Sequence, residues 1–169
     1  MKILIMGLPG SGKTTLAKAL QKELGAVWWN ADEIRGTVNK RLGFSEEDRI
    51  QQAYTMGVLC DTVSRCGHVA IADFVCPTPA TRDAFGKVDV LVWVNTIDAG
   101  RFPDTNKLFV PPENPDVCID YFAVDPSRKG SQLPDQETVS RAVAEVADIV
   151  CARLDNRAWF PLNTPAYTP

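Results

Sequence analysis

Gly7-Leu8-Pro9-Gly10-Ser11-Gly12-Lys13-Thr14 fits the spacing GxxxxGK[ST] without a mismatch. The chemistry open to such a run is the binding of a triphosphate. Glycines let successive backbone N–H groups curl around phosphate oxygens with no Cβ in the way. A helix starting near Lys13 would aim the positive end of its dipole at the same oxygens. Lys13 supplies an ammonium for the β- and γ-phosphates, and Thr14 a hydroxyl for Mg²⁺. The expected ATP site is therefore Gly7, Pro9, Gly10, Ser11, Gly12, Lys13, Thr14 and Thr15. The plain alternative is a glycine-rich turn that binds nothing.

Two carboxylates are placed to work beside this cradle. Asp32 follows a short apolar run and can accept a proton from an acceptor hydroxyl, or hold Mg²⁺ through water. Asp73 ends a run of small and apolar residues, which is the Walker B arrangement for a Mg²⁺ carboxylate. The bland readings are a helix N-cap for Asp32 and a strand-ending acid for Asp73. Lys13, Asp32 and Asp73 are the expected catalytic set, and Thr14, Asp32 and Asp73 the expected metal set. Arg35, Arg49 and Arg82 form a candidate anion-binding wall for an acceptor. Phe44 and Phe74 can enclose a base or pack in the core. Arg101 and Lys107 are candidate lid cations over ATP, or exposed loop charges.

The elements that must carry these residues alternate between strand and helix. Lys2–Met6 reads as a buried parallel strand, Lys13–Leu24 as a helix stopped by Gly25, and 26–30 as a second strand. A charged helix is expected over 31–42. Another is expected from Glu46 to about Cys66, with Ser45 as N-cap and acids in the first turn. A third strand runs over 68–72 to Asp73, a short helix over 78–85, and a β-branched strand over 88–94. Residues 100–120 hold several prolines and no clear period, so they read as lid or loop. A fifth strand is placed at 121–124. The last helix, 136–154, carries Val139, Val143, Val146, Val150 and Leu154 on one stripe. This is the pattern of an α/β fold, a doubly wound parallel sheet of about five strands flanked by helices, which puts ligands at the strands' carboxyl ends.

Length and composition agree with one domain. The chain has 169 residues, 45% hydrophobic and 23% charged. That size buries roughly 70% of the surface of the unfolded chain. The domain is expected over 1–155, with a lid region at about 100–112 and a tail over 156–169 that packs through Trp159 and Phe160. Net charge is −3, so no basic excess advertises a duplex-DNA or anionic-membrane binder, while a local basic pocket for an anionic small molecule stays open. No stretch approaches the ~18 apolar residues of a membrane helix, and the expected location is the cytoplasm. Five cysteines and one histidine offer no CxxC pair and no zinc spacing. Reduced, buried thiols are expected, with Cys76 the one beside the site.

These motifs together resemble the adenylylsulfate (APS) kinase family. Gly7–Thr14 carries the cradle. Asn30-Ala31-Asp32-Glu33-Ile34-Arg35 stands against that family's DGDN-[IVL]-R. The run from Asn39 to Arg49, with Leu42-Gly43-Phe44-Ser45, is close to NxxLGFSxxDR and is the most diagnostic piece. Phe74-Val75-Cys76-Pro77 followed by Arg82 looks like FISPxxxxR, and Pro112-Glu113-Asn114-Pro115 like PENP. The resemblance covers roughly residues 1–120. It implies ATP and APS as substrates, Mg²⁺, a P-loop kinase fold and, often, a homodimer. It assigns Asp32, Arg35, Phe44 and Arg49 to the acceptor, with Phe74 nearby.

The departures fall on acceptor and lid positions. Gln52 replaces an Asn, Tyr54 and Thr55 replace arginines, Cys76 replaces a Ser, and Asp73 stands where the family has a small residue. The KARAG…FTG lid is shortened to 101–109, with Lys107 as its nearest remnant. Gln52 is included with the acceptor residues. The chain looks like a diverged, compact relative of a kind associated with bacteriophages, acting then in the host cytoplasm. The leading expectation is transfer of the γ-phosphoryl of ATP to the 3′-hydroxyl of APS. Two alternatives stand beside it: a kinase for another hydroxyl (a modified nucleoside, a nucleotide or a hydroxymethylated DNA base), and a nucleotide-binding module without catalysis.

Overall fold

A computed structural model describes residues 1–122 and 135–155. Five parallel strands form one sheet in the order β2-β3-β1-β4-β5: β1 is Lys2–Met6, β2 Val27–Asn30, β3 Ala70–Asp73, β4 Val90–Val94 and β5 Val117–Ile119. The strand order reverses at β1, so a crevice opens at its carboxyl end. On one face, Ile3 and Ile5 of β1 pack with Val90, Val92 and Val94 against α1 (Lys13–Leu24) and α6 (Gln136–Asp155). On the other, Leu4 and Met6 pack under α2 (Ala31–Thr37), α3 (Glu46–Arg65) and α4 (Pro79–Phe85). Burial on both faces explains why β1 reads as an unbroken apolar run. The expected stripe of α6 is the buried one at Val143, Val146 and Val150, with Val139 and Leu154 at its margins.

The local punctuation behaves as its chemistry requires. Gly25 takes a left-handed φ of 58° and ends α1. Ser45 accepts from the Asp48 N–H and opens α3. Thr78 and Thr81 form a reciprocal capping box on α4.

Several expectations are corrected. α2 stops at Thr37 rather than 42. Thr37 and Val38 are poor helix formers, and the Asn39 side chain leaves the helix axis to donate to Gln52 Oε1 at 2.8 Å. The fifth strand lies at Val117–Ile119, not 121–124. Val117 and Ile119 point inward while Cys118 is exposed, and Val117 pairs in register with Val92. Tyr121 and Phe122 pack on the core beyond that strand, and Tyr121 donates to Glu145 at 2.8 Å. Positions 123 and 124, and the tail over 156–169, lie outside the described residues. The region read as lid or loop contains a short helix, α5 (Pro103–Leu108), started by a proline in its first turn. The cysteines are free as expected, but only Cys60 and Cys76 are buried, whereas Cys66, Cys118 and Cys151 are exposed. Burial pushes the Cys60 and Cys76 thiols up to about 12, which leaves both inert. Among the described residues no helix is long and apolar enough to cross a membrane.

Candidate functional site

The cradle loop joins β1 to α1 at the switch point. Gly7, with φ 148°, passes so close to β4 that a Cβ there would lie 2.2 Å from the Val94 carbonyl oxygen, so only glycine fits. Gly12, with a left-handed φ of 98°, turns the chain into α1. The Ser11 carbonyl is tied to the chain leaving β4 by the Thr96 hydroxyl at 2.7 Å. Pro9, Gly10, Gly12, Lys13, Thr14 and Thr15 line a cavity of about 840 Å³, while Gly7 and Ser11 lie buried beneath it.

Lys13 is itself buried, and its ammonium donates to the Leu8 carbonyl at 2.8 Å. Burial lowers its pKa to about 8; Asp73 and Asp32 act to raise it, and Arg101 to lower it. Triphosphate oxygens would favour the charged form. In the free protein the proton is lost as pH rises through about 8, so uptake of ATP above that pH must draw a proton from solvent. ATP affinity is then expected to fall between pH 7 and 9, approaching about tenfold per pH unit at the upper end. Calorimetry in two buffers of different ionisation enthalpy reads both the affinity and the proton uptake.

Asp73 is almost fully buried at the end of β3, beside Asn30 in the β2–β3 register. Its carboxylate accepts from Thr14 Oγ1 at 2.7 Å, from Trp28 Nε1 at 2.7 Å and from Asn30 Nδ2 at 3.1 and 3.2 Å. Burial raises its pKa, and these donors and the Lys13 charge pull it back. Because Thr14 spends its proton on Asp73 and accepts only a long contact of 3.5 Å from Asn30 Nδ2, a lone pair is left for a cation. No cluster of three or more acidic, His or Cys ligands exists among the described residues. That suits Mg²⁺, which is commonly held by one or two protein groups, with water and phosphate completing its shell. Thr14 therefore fits such an ion, with Asp73, whose oxygens already accept four hydrogen bonds, orienting the Thr14 hydroxyl from behind.

Asn30 carries no sequence signal of its own beyond its place in the run 30–35, and its contribution emerges from the register. Its Oδ1 accepts from the N–H groups of Asp32 and Glu33, so Asn30 is the N-cap of α2. The N-cap alternative for Asp32 is thereby excluded. The Asp32 carboxylate is exposed and lines the same cavity. Trp28 has no local sequence signal that would tie it to Asp73.

The acceptor candidates separate into two groups. Arg35, Phe44, Arg49, Gln52 and Phe74 line the cavity; Arg82 does not. The Arg35 and Arg49 guanidiniums lie 4.7 and 5.5 Å from the centre of the exposed Phe44 ring. Burial and the neighbouring Arg49 both lower the Arg35 pKa. Among the described residues Arg35 donates to the Leu42 and Gly43 carbonyls and to no carboxylate, so its charge has no ion-pair partner. Arg49 donates to Phe44 O, Asp104 Oδ2 and Thr105 Oγ1. Gln52 is buried and bridges Ala31 O and Asn39. Phe74 leans on Phe85 with ring centres 5.5 Å apart. Arg82 instead ties Cys76 O to Val110 O. Of the lid cations, Arg101 lines the cavity and Lys107 is exposed outside its lining. Phe102, Asp104 and Thr105, none of them singled out from sequence, also reach it.

A five-stranded parallel sheet with a phosphate-type cradle at its switch point is the fold of the P-loop kinases. The family model for adenylylsulphate kinase matches residues 1–94, and the chain belongs to that family. The adenylyl-sulfate kinase of Oceanobacillus iheyensis is 37% identical over 82 residues, covering 46% of this chain and 41% of that protein. The bifunctional enzyme CysN/CysC of Rhodopirellula baltica is 28% identical over 147 residues, covering 70% of this chain and 23% of that protein. The chain thus spans less than half the length of either. The adenylyl-sulfate kinase of Clostridium kluyveri is 26% identical over 164 residues, covering 88% of this chain and 82% of its own length. Among solved structures, the APS kinase CysC of Mycobacterium tuberculosis, in complex with AMPPNP and APS, superposes with a TM-score of 0.69 at 22% identity, covering 88% of this chain and 96% of that one. A gluconokinase from Sinorhizobium meliloti gives 0.60 at 17% identity, covering 94% and 97%, which speaks for the fold alone.

Proposed function

We propose that this chain is a kinase that moves the γ-phosphoryl group of ATP to the 3′-hydroxyl of APS, giving PAPS and ADP. The observation that carries the reading is a single cavity lined at once by Lys13, Thr14 and Asp73 and by Arg35, Phe44 and Arg49, with Asp32 on the same wall. Family membership supports it, and so does the likeness to a kinase held with AMPPNP and APS.

In this reading the cradle amides and Lys13 bind the triphosphate and neutralise charge that builds on the transferring group. Thr14, backed by Asp73, would hold Mg²⁺, which when bound supplies further positive charge at the triphosphate. Asp32 orients the acceptor hydroxyl and takes its proton. The new bond joins that oxygen to the γ-phosphorus, the bond from the γ-phosphorus to the bridging oxygen breaks, and ADP leaves with the electron pair. Arg35 and Arg49 bind the acceptor's anionic group, which supplies the counter-charge that Arg35 lacks. Phe44 and Phe74 offer apolar faces to its base.

An ADP-release assay with MgATP and APS tests this directly. Turnover well above the water-driven background is the expected result. No stimulation by APS, with stimulation by another hydroxyl compound, would redirect the reading to a different acceptor. ATP binding without turnover on any acceptor would leave a nucleotide-binding module.

A further inference from the structure

We propose that Asn106 is a positioning residue for Arg101, holding that arginine's charge at the phosphate cradle through a two-point clamp on Gly100. The inference rests on the kinase reading insofar as the ligand at the cradle is a nucleoside triphosphate. Asn106 uses both ends of its amide on one residue: Nδ2 donates to the Gly100 carbonyl at 2.9 Å and Oδ1 accepts from the Gly100 N–H at 2.9 Å. This pairing is what a neighbouring strand would offer, and it fixes the peptide units on both sides of Gly100.

Gly100 in turn lies against the cradle itself. A Cβ there would sit 2.9 Å from Pro9 Cδ and 3.0 Å from Pro9 O, so the backbone is seated directly on the loop between β1 and α1. The next residue is Arg101. Its side chain lines the cavity, and its charge is felt at Lys13. Among the described residues its guanidinium has no carboxylate partner and stands 5.8 Å from the centre of the Phe102 ring. An exposed arginine on a loop would ordinarily spread its charge over many rotamers. Here the backbone that carries it is pinned from the other side as well. Thr105 is buried, and Arg49 of α3 donates to Asp104 at 3.2 Å and to Thr105 at 3.4 Å. Helix α5 is therefore a strut: its first turn is tied to α3, and Asn106 ties it back to the residue before Arg101. A cation without a counter-ion, held at the cradle by a clamp that uses no part of the cation itself, is built for an anionic ligand.

The test is calorimetric titration of MgATP into the wild type, Arg101→Ala, Asn106→Ala and the double variant. Arg101→Ala and Asn106→Ala are each expected to weaken ATP binding about tenfold, on the scale of one charge-assisted contact. The double variant is expected to be no weaker than Arg101→Ala alone, because Asn106 acts only through that side chain. Gly100→Ala gives a second route, since its Cβ must push the segment off Pro9; it should weaken ATP binding in the same direction and lose that effect in the Arg101→Ala background. A purely structural Asn106 would lower Tm while its effect on ATP multiplied with that of Arg101→Ala. That multiplication, or unchanged ATP affinity in folded Asn106→Ala, overturns the proposal alone. A wild type that takes up no MgATP overturns the reading of the cradle and this proposal with it.

Discussion

Lys13→Ala is expected to abolish measurable phosphoryl transfer while leaving the protein folded. Two effects combine. Among the described residues the buried ammonium is the only lysine in the cavity lining, so its loss leaves phosphate oxygens partly unpaired. Truncating one member of a buried charged pair weakens binding by about 10²- to 10³-fold. The same charge is expected to matter more as negative charge moves onto the bridging oxygen, and a preorganised group of that kind contributes about 10²- to 10³-fold to kcat. The opposing prediction concerns stability. Burial lowers the Lys13 pKa to about 8, so the fold disfavours the proton that the unfolded chain would keep. By linkage, the cost of holding that charge is fully present below pH 8 and is relieved as pH rises from about 8 towards the unfolded value. Removing the ammonium removes this cost, against the loss of one hydrogen bond to Leu8 O. Tm at pH 7 should therefore hold or rise. A variant that melts well below the wild type would show that the lysine supports the fold; one that still turns over at the wild-type rate would remove the cradle from the chemistry.

The split between what could be read from sequence and what could not follows the range of the interactions. The cradle, the bounds of β1 and α1 and the caps at Gly25 and Ser45 are local: each depends on residues within a few positions. The carboxylates Asp32 and Asp73 are legible for the same reason, since each ends an apolar run. Asn30 is different. Its side chain meets Asp73 only because β2 lies beside β3 with those two positions in register, and no local pattern encodes that neighbour. The fifth strand is missed because Val117–Ile119 is short and follows prolines; its place is set by pairing with β4. Arg82 reads as a site residue because its helix begins near the carboxyl edge, yet its guanidinium is spent on the Cys76 and Val110 carbonyls. Proximity along an edge is a weaker guide than a count of where the donors go.

The same accounting gives Asn30 a double duty. One amide bonds both oxygens of Asp73 and caps the helix that carries Asp32. The carboxylate suited to the metal and the carboxylate suited to the proton are thereby held by one side chain. Asp73 has all its donors supplied by Thr14, Trp28 and Asn30, so it has little freedom to move. Among the described residues Asp32 has no such partner on its carboxylate, and it lines the cavity. This asymmetry is what two acids with different tasks require: one is locked beside the phosphate-binding threonine, the other free to meet a substrate hydroxyl.

Asp32→Asn should then separate binding from chemistry. The substitution keeps the shape of the side chain and leaves the Asn30 cap intact, because that cap uses the residue 32 N–H and not its carboxylate. It removes the group able to accept a proton. Loss of a positioned general base costs about 10² to 10⁴ in rate, so kcat is expected to fall by roughly 10³ with the Kd for MgATP changed less than about threefold. The competing account makes Asp32 merely a favourable charge in the first turn of α2, worth about 0.3–1 kcal/mol of stability. That account predicts a small drop in Tm and an undiminished kcat. Measuring kcat, MgATP affinity by calorimetry and Tm on the same preparation distinguishes the two, since a mere first-turn charge couples no large kinetic loss to unaltered nucleotide binding. If turnover survives in Asp32→Asn, phosphoryl transfer here proceeds on positioning and charge neutralisation alone, with Arg35 and Arg49 fixing the acceptor and Lys13 stabilising the transferring group.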